Sequence, residues 1–346
     1  MNDLRVRLSQ NAALLTAIVV FILFYFFYNM NHPRGFSVAV LIQNSNEVFT
    51  LAMVAMAQTV PVLMGGLDLS VGAIMTLVNT IASHLLNGSP MQIAFGMVVS
   101  LAAGAACGFV NGCIVVYGRI QPIIATLATG AIFLGLALFL RPSPGGNVDD
   151  DLSWAATNDL YEIAATYGFA QNGEAGWFQP ISWIPVPLLL LVLVAVLVWL
   201  PFARSVTGRT VYAVGSGEGA AYMSGLSIDR AKIAAFTLGG FFAGIGGLYL
   251  TLQTSSGNAD IPQAGAYTLN SIAAVVIGGT SLLGGVGTAI GSIFGALILR
   301  TISFNFRIFE IDPLMQPLFE GTVLLAAVSL GAFRVLRVKN TLELFR

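Results

Sequence analysis

Asp68 offers the most direct chemistry in this chain. It is the one carboxylate in the middle of an apolar region, within Gly65-Gly-Leu-Asp-Leu-Ser-Val-Gly72, and an ionisable residue among apolar spans marks a functional site by default. The stretch follows Pro61 and precedes another apolar run. It therefore reads as a break within the membrane, whose freed backbone groups must be buried in protein or line a wet pathway. Two roles are open to Asp68 and Ser70: accepting hydrogen bonds from the free N–H groups of the next helix, or touching a solute beside Gly65 and Gly66.

A second break is expected at Gly278-Gly-Thr-Ser-Leu-Leu-Gly-Gly-Val-Gly287. Gly278 and Gly279 let backbone approach a ligand or a facing helix closely, and Thr280 and Ser281 add hydroxyls. Close packing alone accounts for this stretch as well as a pathway does. A passage lined by hydroxyls and backbone would suit a neutral, polyhydroxylated solute. A third stretch, Thr207 to Arg230, holds Glu218-Gly-Ala-Ala-Tyr-Met-Ser-Gly225, which reads as a short helix ended by glycine. Arg204, Arg209, Arg230 and Lys232 flank it near the membrane surface. It is either a solvated basic loop or a docking site for a partner.

Other chemistries lack their residues. The only lysines, Lys232 and Lys339, stand in no Gly-x-x-x-x-Gly-Lys-Ser/Thr setting, so the chain has no phosphate loop and is not itself the ATPase. An ion-coupled carrier needs paired ionisable groups at mid-membrane depth, and besides Asp68 only Glu47, Arg300 and Glu320 qualify. His32 and His84 sit in no catalytic or metal-ligand pattern, and Cys107 and Cys113, both in one apolar small-residue helix, suggest neither a disulfide framework nor a metal site. They read as small buried residues. No cofactor and no metal is expected. With a net charge of −1 there is no basic patch for nucleic acid.

The elements that position these residues follow from composition. Of 346 residues 56% are hydrophobic and 9% charged, against roughly 25% charged in soluble domains. Apolar runs approach the roughly 20 residues a spanning helix needs, and the strict alternation of a membrane β-barrel is absent. The first run lacks a small-residue cleavage site and reads as a retained helix. Proline, glycine and charge clusters divide the chain into about ten spans, at 11–30, 45–64, 70–86, 91–117, 121–140, 184–203, 231–254, 267–280, 285–305 and 314–336. The expected fold is an all-α polytopic membrane protein, one transmembrane domain over 1–346, with two spans broken at Gly-Gly.

Lys and Arg concentrate in cytoplasmic loops. With cytoplasmic termini, eleven of the 15 basic residues fall inside, leaving Arg34, Arg141, Arg300 and Arg307 at or near the outer side. The segment 142–183 carries Asp149, Asp150, Asp151, Asp159, Glu162 and Glu174 and no basic residue, as suits an external loop, and 204–230 becomes a cytoplasmic loop. The Gly-Gly stretches echo one another at an offset of 213, Gly65 to Gly278 and Gly72 to Gly285. Gly104, Gly108 and Gly112 form a ridge of small residues, as do Gly287, Gly291 and Gly295, which lets helices approach closely in lipid. These echoes suggest two related halves, as transporters often have.

The three stretches, in order with Arg119-Ile-Gln-Pro-Ile-Ile-Ala-Thr-Leu-Ala-Thr129 and Ile272-Ala-Ala-Val-Val-Ile-Gly-Gly-Thr-Ser-Leu282, resemble the ribose/xylose-type permeases of bacterial ATP-binding-cassette importers, from about residue 45 to 336. The resemblance implies a lipid-embedded permease of the cytoplasmic (inner) membrane. It pairs with a second permease subunit, carries ATP-binding subunits on its cytoplasmic face and receives a monosaccharide or similar solute from an external binding protein. It implies that Glu218 to Gly225 contacts the ATPase, with Ala220, Ala221 and Gly225 matching the core of that loop. The chain departs from the family at Thr268-Leu-Asn270, where two carboxylates are common, and at Gly215-Ser-Gly217, where Gly-Gly-Asn is common. The other reading is a stand-alone ion-coupled carrier or facilitator.

Overall fold

The computed structural model describes residues 12–170 and 176–322, with 325, 326 and 329. Among them seven helices are long and apolar enough to span a membrane: α1 (Ala12–Asn31), α2 (Val38–Leu63), α4 (Pro90–Tyr117), α5 (Pro122–Leu140), α8 (Val186–Arg204), α11 (Ile228–Thr254) and α13 (Ala289–Ile308). Two shorter apolar helices, α3 (Val71–Leu85) and α12 (Ile261–Ile277), follow and precede the two breaks. These nine match the first nine expected spans. The tenth, 314–336, lies partly outside the described residues.

Two starts come earlier than expected. α2 begins at Val38 because Ser37 accepts from the Val40 N–H (3.4 Å). The polar run that suggested a loop is turned onto protein, with buried Asn44 taking the Tyr28 hydroxyl (3.4 Å) and Asn46 bonded to the Thr157 carbonyl (2.8 Å). α12 begins at Ile261 because Asp260 accepts from the Gln263 N–H (3.1 Å) and Pro262 sits in the first turn, where its missing donor costs nothing.

α2 is the central helix. It is buried from Val48 to Leu63, and α11, α13, α12 and α8 pack around it. The most extensive pairing joins α4 to α11, where Gly104, Gly108 and Gly112 leave room for no side-chain atom: a Cβ on any of them would run into the backbone of Gly240, Phe236 or Ile233. Gly291 and Gly295 do the same for α13 on α12, against Gly278 and Ala274. The first expected ridge is a close-packing seam throughout; of the second, Gly291 and Gly295 are, while Gly287 precedes α13 at positive φ and lies against the Thr280 side chain. Cys107 and Cys113 are unpaired and half-buried on α4.

Within segment 142–183, of which Glu174 lies outside the described residues, two acids start short helices. Asp149 caps α6 (Asp150–Thr157) through the Leu152 N–H (2.8 Å), and Asp159 caps α7 (Leu160–Thr166) through the Glu162 N–H (2.9 Å). This segment closes one end of the bundle over the end of α3, where Asp149 N–H donates to the Leu86 carbonyl (2.7 Å). The opposite end holds both breaks, α9 (Val206–Ser216) and α10 (Glu218–Met223).

Candidate translocation site

Pro61 sets up the first break. Without an N–H it leaves one rung of the α2 ladder unmade; two residues on, the helix ends, the Met64 and Gly66 N–H groups closing onto the Pro61 carbonyl (3.0 and 3.1 Å) while Gly65 turns at φ +75. The chain then dives back into protein. Asp68 and Ser70 are fully buried, and one carboxylate oxygen of Asp68 accepts from both the N–H (2.8 Å) and the hydroxyl (2.5 Å) of Ser70. Asn111 donates to the same hydroxyl (2.7 Å), and the Leu69 N–H donates to Thr126 (2.9 Å). With its amide oxygen turned toward the Asp68 N–H, Gln58 accepts from it (3.3 Å) and donates to the Asp68 carbonyl (2.8 Å).

Neither Asp68 nor Ser70 caps α3 with its side chain; the Ser70 hydroxyl is occupied with Asp68 and Asn111. The free N–H of Gly72 is met by Thr268 Oγ1 of α12 (3.1 Å), and a Cβ on Gly72 would overlap the Ala264 carbonyl oxygen. The cap thus comes from a residue 196 positions away; the sequence marked Thr268 and the stretch holding Thr126 only through the family resemblance and gave them no such role, and it did not single out Gln58 or Asn111. Only their polarity inside apolar spans could have drawn attention to them.

The second break is made by backbone. α12 closes with the Gly279 and Thr280 N–H groups on the Val276 and Val275 carbonyls (2.9 and 3.0 Å). Gly279, Gly284, Gly285 and Gly287 all take positive φ. Gly278 lies against Gly291 and Gly279 against Ala13. Ser281 holds a tight turn, its N–H on the Val286 carbonyl (2.9 Å) and its hydroxyl accepting from the Leu283 N–H (3.2 Å). Thr280 is buried, and its hydroxyl has no hydrogen-bond partner among the described residues. Thr288 then caps α13 and receives the Trp199 indole N–H (3.2 Å), just before the π turn Ala195–Trp199 hands over to Pro201 in α8.

The two breaks meet. Gly285 N–H donates to the Leu63 carbonyl (2.8 Å), and Gly215 at the end of α9 fits against both groups so closely that a Cβ there would overlap the Leu63 oxygen. Tyr212 of α9 donates to the Gly287 carbonyl (2.8 Å). Burial pushes its hydroxyl up to about 12, so it stays a donor at neutral pH.

From this junction α10 projects. Its end is a glycine turn, with Gly225 at φ +75, the Gly225 N–H on the Tyr222 carbonyl (2.9 Å) and the Leu226 N–H on Ala221 (3.2 Å), as expected from its sequence. Ala221 is buried and Ala220 exposed, while Tyr222 and Met223, which the sequence left unremarked, are 71% and 85% exposed. Glu218 is paired with Lys232 (2.6 Å) and shares a cavity of about 550 Å³ with Gly65, Gly66, Arg119, Pro122 and Asp229. The structure therefore brings Gly65 and Gly66 together with Glu218, buries Asp68 and Ser70 behind them, and sets Gly278, Gly279 and Thr280 into packing contacts.

Of the other ionisable candidates, Glu47 forms a two-pronged pair with Arg307 at the far end of the bundle (2.7 and 2.9 Å). Among the described residues no group of His, Cys, Asp and Glu is placed to hold a metal ion.

A buried apolar central helix ringed by further apolar spans, with two glycine breaks joined at one end, defines a multi-pass α-helical membrane protein of the transporter type. The chain belongs to the family described as branched-chain amino acid transport system / permease component, whose family model matches residues 40–328. It is 34% identical over 285 residues to the ribose import permease protein of Bacillus subtilis (strain 168), covering 82% of each chain. It is 31% identical over 302 residues to that of Escherichia coli (strain K12), covering 86% of each. With the fructose import permease protein of Rhizobium meliloti it shares 32% over 297 residues, 86% of this chain and 78% of the relative. No solved structure matches.

Proposed function

We propose that this chain is the permease subunit of an ATP-binding-cassette importer, carrying a small neutral polar solute, a monosaccharide first of all, across the cytoplasmic membrane. Membership of a permease family over most of the chain, and relatives named for ribose, allose and fructose, support this reading over an ion-coupled carrier. Residues 1–346 act as one permease domain. The end holding both breaks is cytoplasmic, in keeping with Arg119, Arg204, Arg209, Arg230 and Lys232 around it, and the acidic segment 142–183 faces the external binding protein. ATP hydrolysis belongs to a partner, since the chain has no phosphate loop. A second permease copy or relative completes the passage.

The observation that carries the mechanism is the backbone junction of Gly215, Leu63 and Gly285. The exposed Tyr222 and Met223 of α10, with Ala220 and Gly225, dock the ATPase, and Glu218 with Lys232 ties α10 to α11. Movement of the ATPase against α10 then passes through α9 to both breaks at once. Gly65 and Gly66 border the passage; Asp68 and Ser70 hold its wall in shape. Gly278 to Ser281 supply the wall on the other side.

The test is co-expression with the partner ATPase and reconstitution into vesicles. The permease alone should hydrolyse no ATP, and the complex should import sugar only with ATP and binding protein. Uptake by the permease alone, driven by an ion gradient, would overturn the proposal. A Gly225→Arg complex that forms and imports normally would remove α10 from the coupling role.

A further inference from the structure

Two further ionisable residues of the bundle, Arg300 and Glu320, take no part in the junction. Arg300 lies about 17 Å from the start of α13, a helix about 30 Å long, and Asn270 about 14 Å along α12. Both are therefore at mid-membrane depth. Among the described residues neither Arg300 nor Glu320 forms an ion pair, unlike Glu218 and Glu47. The Arg300 guanidinium instead lies over the Tyr267 ring (5.4 Å to its centre), and its Nε is buried without a hydrogen-bond partner. Glu320 accepts from Asn270 Nδ2 (2.9 Å) on one oxygen and from Gln316 Nε2 (2.7 Å) on the other, with Ser303 beside Gln316 (3.0 Å). Arg300, Asn270, Tyr267 and Glu320 are all half-buried.

Charged and amide groups left half-open at this depth do not face hydrocarbon, where each is costly. They face water or a polar ligand. We propose that Tyr267, Asn270, Arg300, Ser303, Gln316 and Glu320 form a solute-binding site midway through the membrane, for a neutral polyhydroxylated ring. The inference rests on the permease reading and adds the residues that recognise the solute. One guanidinium and one carboxylate balance in charge, so a neutral solute leaves the site balanced whereas an ionic one does not. The carboxylate accepts from neighbouring hydroxyls, the guanidinium and amides donate to ring and hydroxyl oxygens, and the Tyr267 ring offers an apolar face to the C–H side of a sugar. None of these residues is in the Gly-Gly breaks, so recognition and coupling occupy different parts of the chain.

The test uses the permease–ATPase complex with Cys107→Ala and Cys113→Ala. Asn270→Cys, and separately Gln316→Cys, is exposed to a membrane-impermeant cationic thiosulfonate, without nucleotide and with the ATPase trapped by vanadate. Labelling in at least one state, slowed by whichever of ribose, allose or fructose the complex imports, is expected. Glu320→Gln should raise the half-saturating sugar concentration about tenfold or more, as loss of a charged hydrogen bond does, with a smaller change in maximal rate. Gly225→Arg should do the reverse. No labelling of either cysteine in either state overturns the site even where ATP-driven import is intact, as does labelling that no imported sugar slows together with an unchanged half-saturation in Glu320→Gln. Failure of ATP dependence itself strikes the permease reading and not this assignment.

Discussion

The two breaks share a sequence pattern and differ in how they are held. Between Met64 and Gly72 the chain is fastened by side chains from four other places: Gln58, Asn111, Thr126 and Thr268. Between Gly278 and Thr288 the chain holds its shape through its own backbone and through glycines at positive φ, with Tyr212 and Trp199 gripping only its far end. A buried polar bracket resists displacement, because each bond broken leaves an unmet group in a dry interior. A glycine turn with half-open surface resists little. On the proposed function the first break is expected to serve as the fixed wall and the second as the part that yields, though they touch at Leu63 and Gly285.

Substitutions can break that contrast, and their expected effects fall in order. Gly215→Val drives a side chain into the Leu63 carbonyl. Overpacking at rigid backbone costs about 3 kcal/mol or more, and neither a stable permease nor an ATPase complex should be recovered by size-exclusion chromatography. Asp68→Ala strips the bracket from Ser70, at about 1–3 kcal/mol for the unmet donors, and uptake should fall with thermal stability. Asp68→Asn keeps an acceptor oxygen and should retain most of both. Full loss of uptake by Asp68→Asn with stability kept would make the carboxylate a solute contact and not a brace.

Gly285→Ala tests the second break. Left-handed backbone costs a non-glycine residue roughly 1–2 kcal/mol, and its Cβ would also press on Ser216. A modest loss of stability with a larger loss of transport rate is expected, and the opposite pattern would deny that this break moves. Thr280→Val removes a buried hydroxyl that has no partner among the described residues, so melting should be unchanged or slightly higher. Reduced uptake at unchanged stability would place that hydroxyl on the pathway. Smallest of all, Lys232→Gln removes a partly exposed pair worth at most about 1 kcal/mol. Its effect should appear in the ATPase affinity of the complex, measured at two salt concentrations.

The spans were legible because lipid demands long apolar runs, and the breaks because proline and glycine interrupt them. The first turns of α2 and α12 were not. Asn44 and Asn46 look like loop residues until Tyr28 and Thr157, elsewhere in the chain, are known to meet them, whereas the Asp260 cap with Pro262 in the first turn is a local signal that the sequence reading passed over. Nor could sequence spacing connect Thr268 with Gly72, or Gly215 with Leu63, since both contacts are products of helix packing over long separations. The helix at Glu218 and its glycine end were readable, being local. What α10 exposes was not, because exposure of Tyr222 and Met223 depends on which face Ala221 buries.

Glycine at the α4–α11 seam has a mechanical consequence. Where two helices touch through backbone, as Gly104 and Gly108 touch Gly240, there are no side chains between them to change rotamer and let one slide past the other. On the proposed function those two helices are expected to travel as one strut, leaving the opening and closing of any passage to the elements around them.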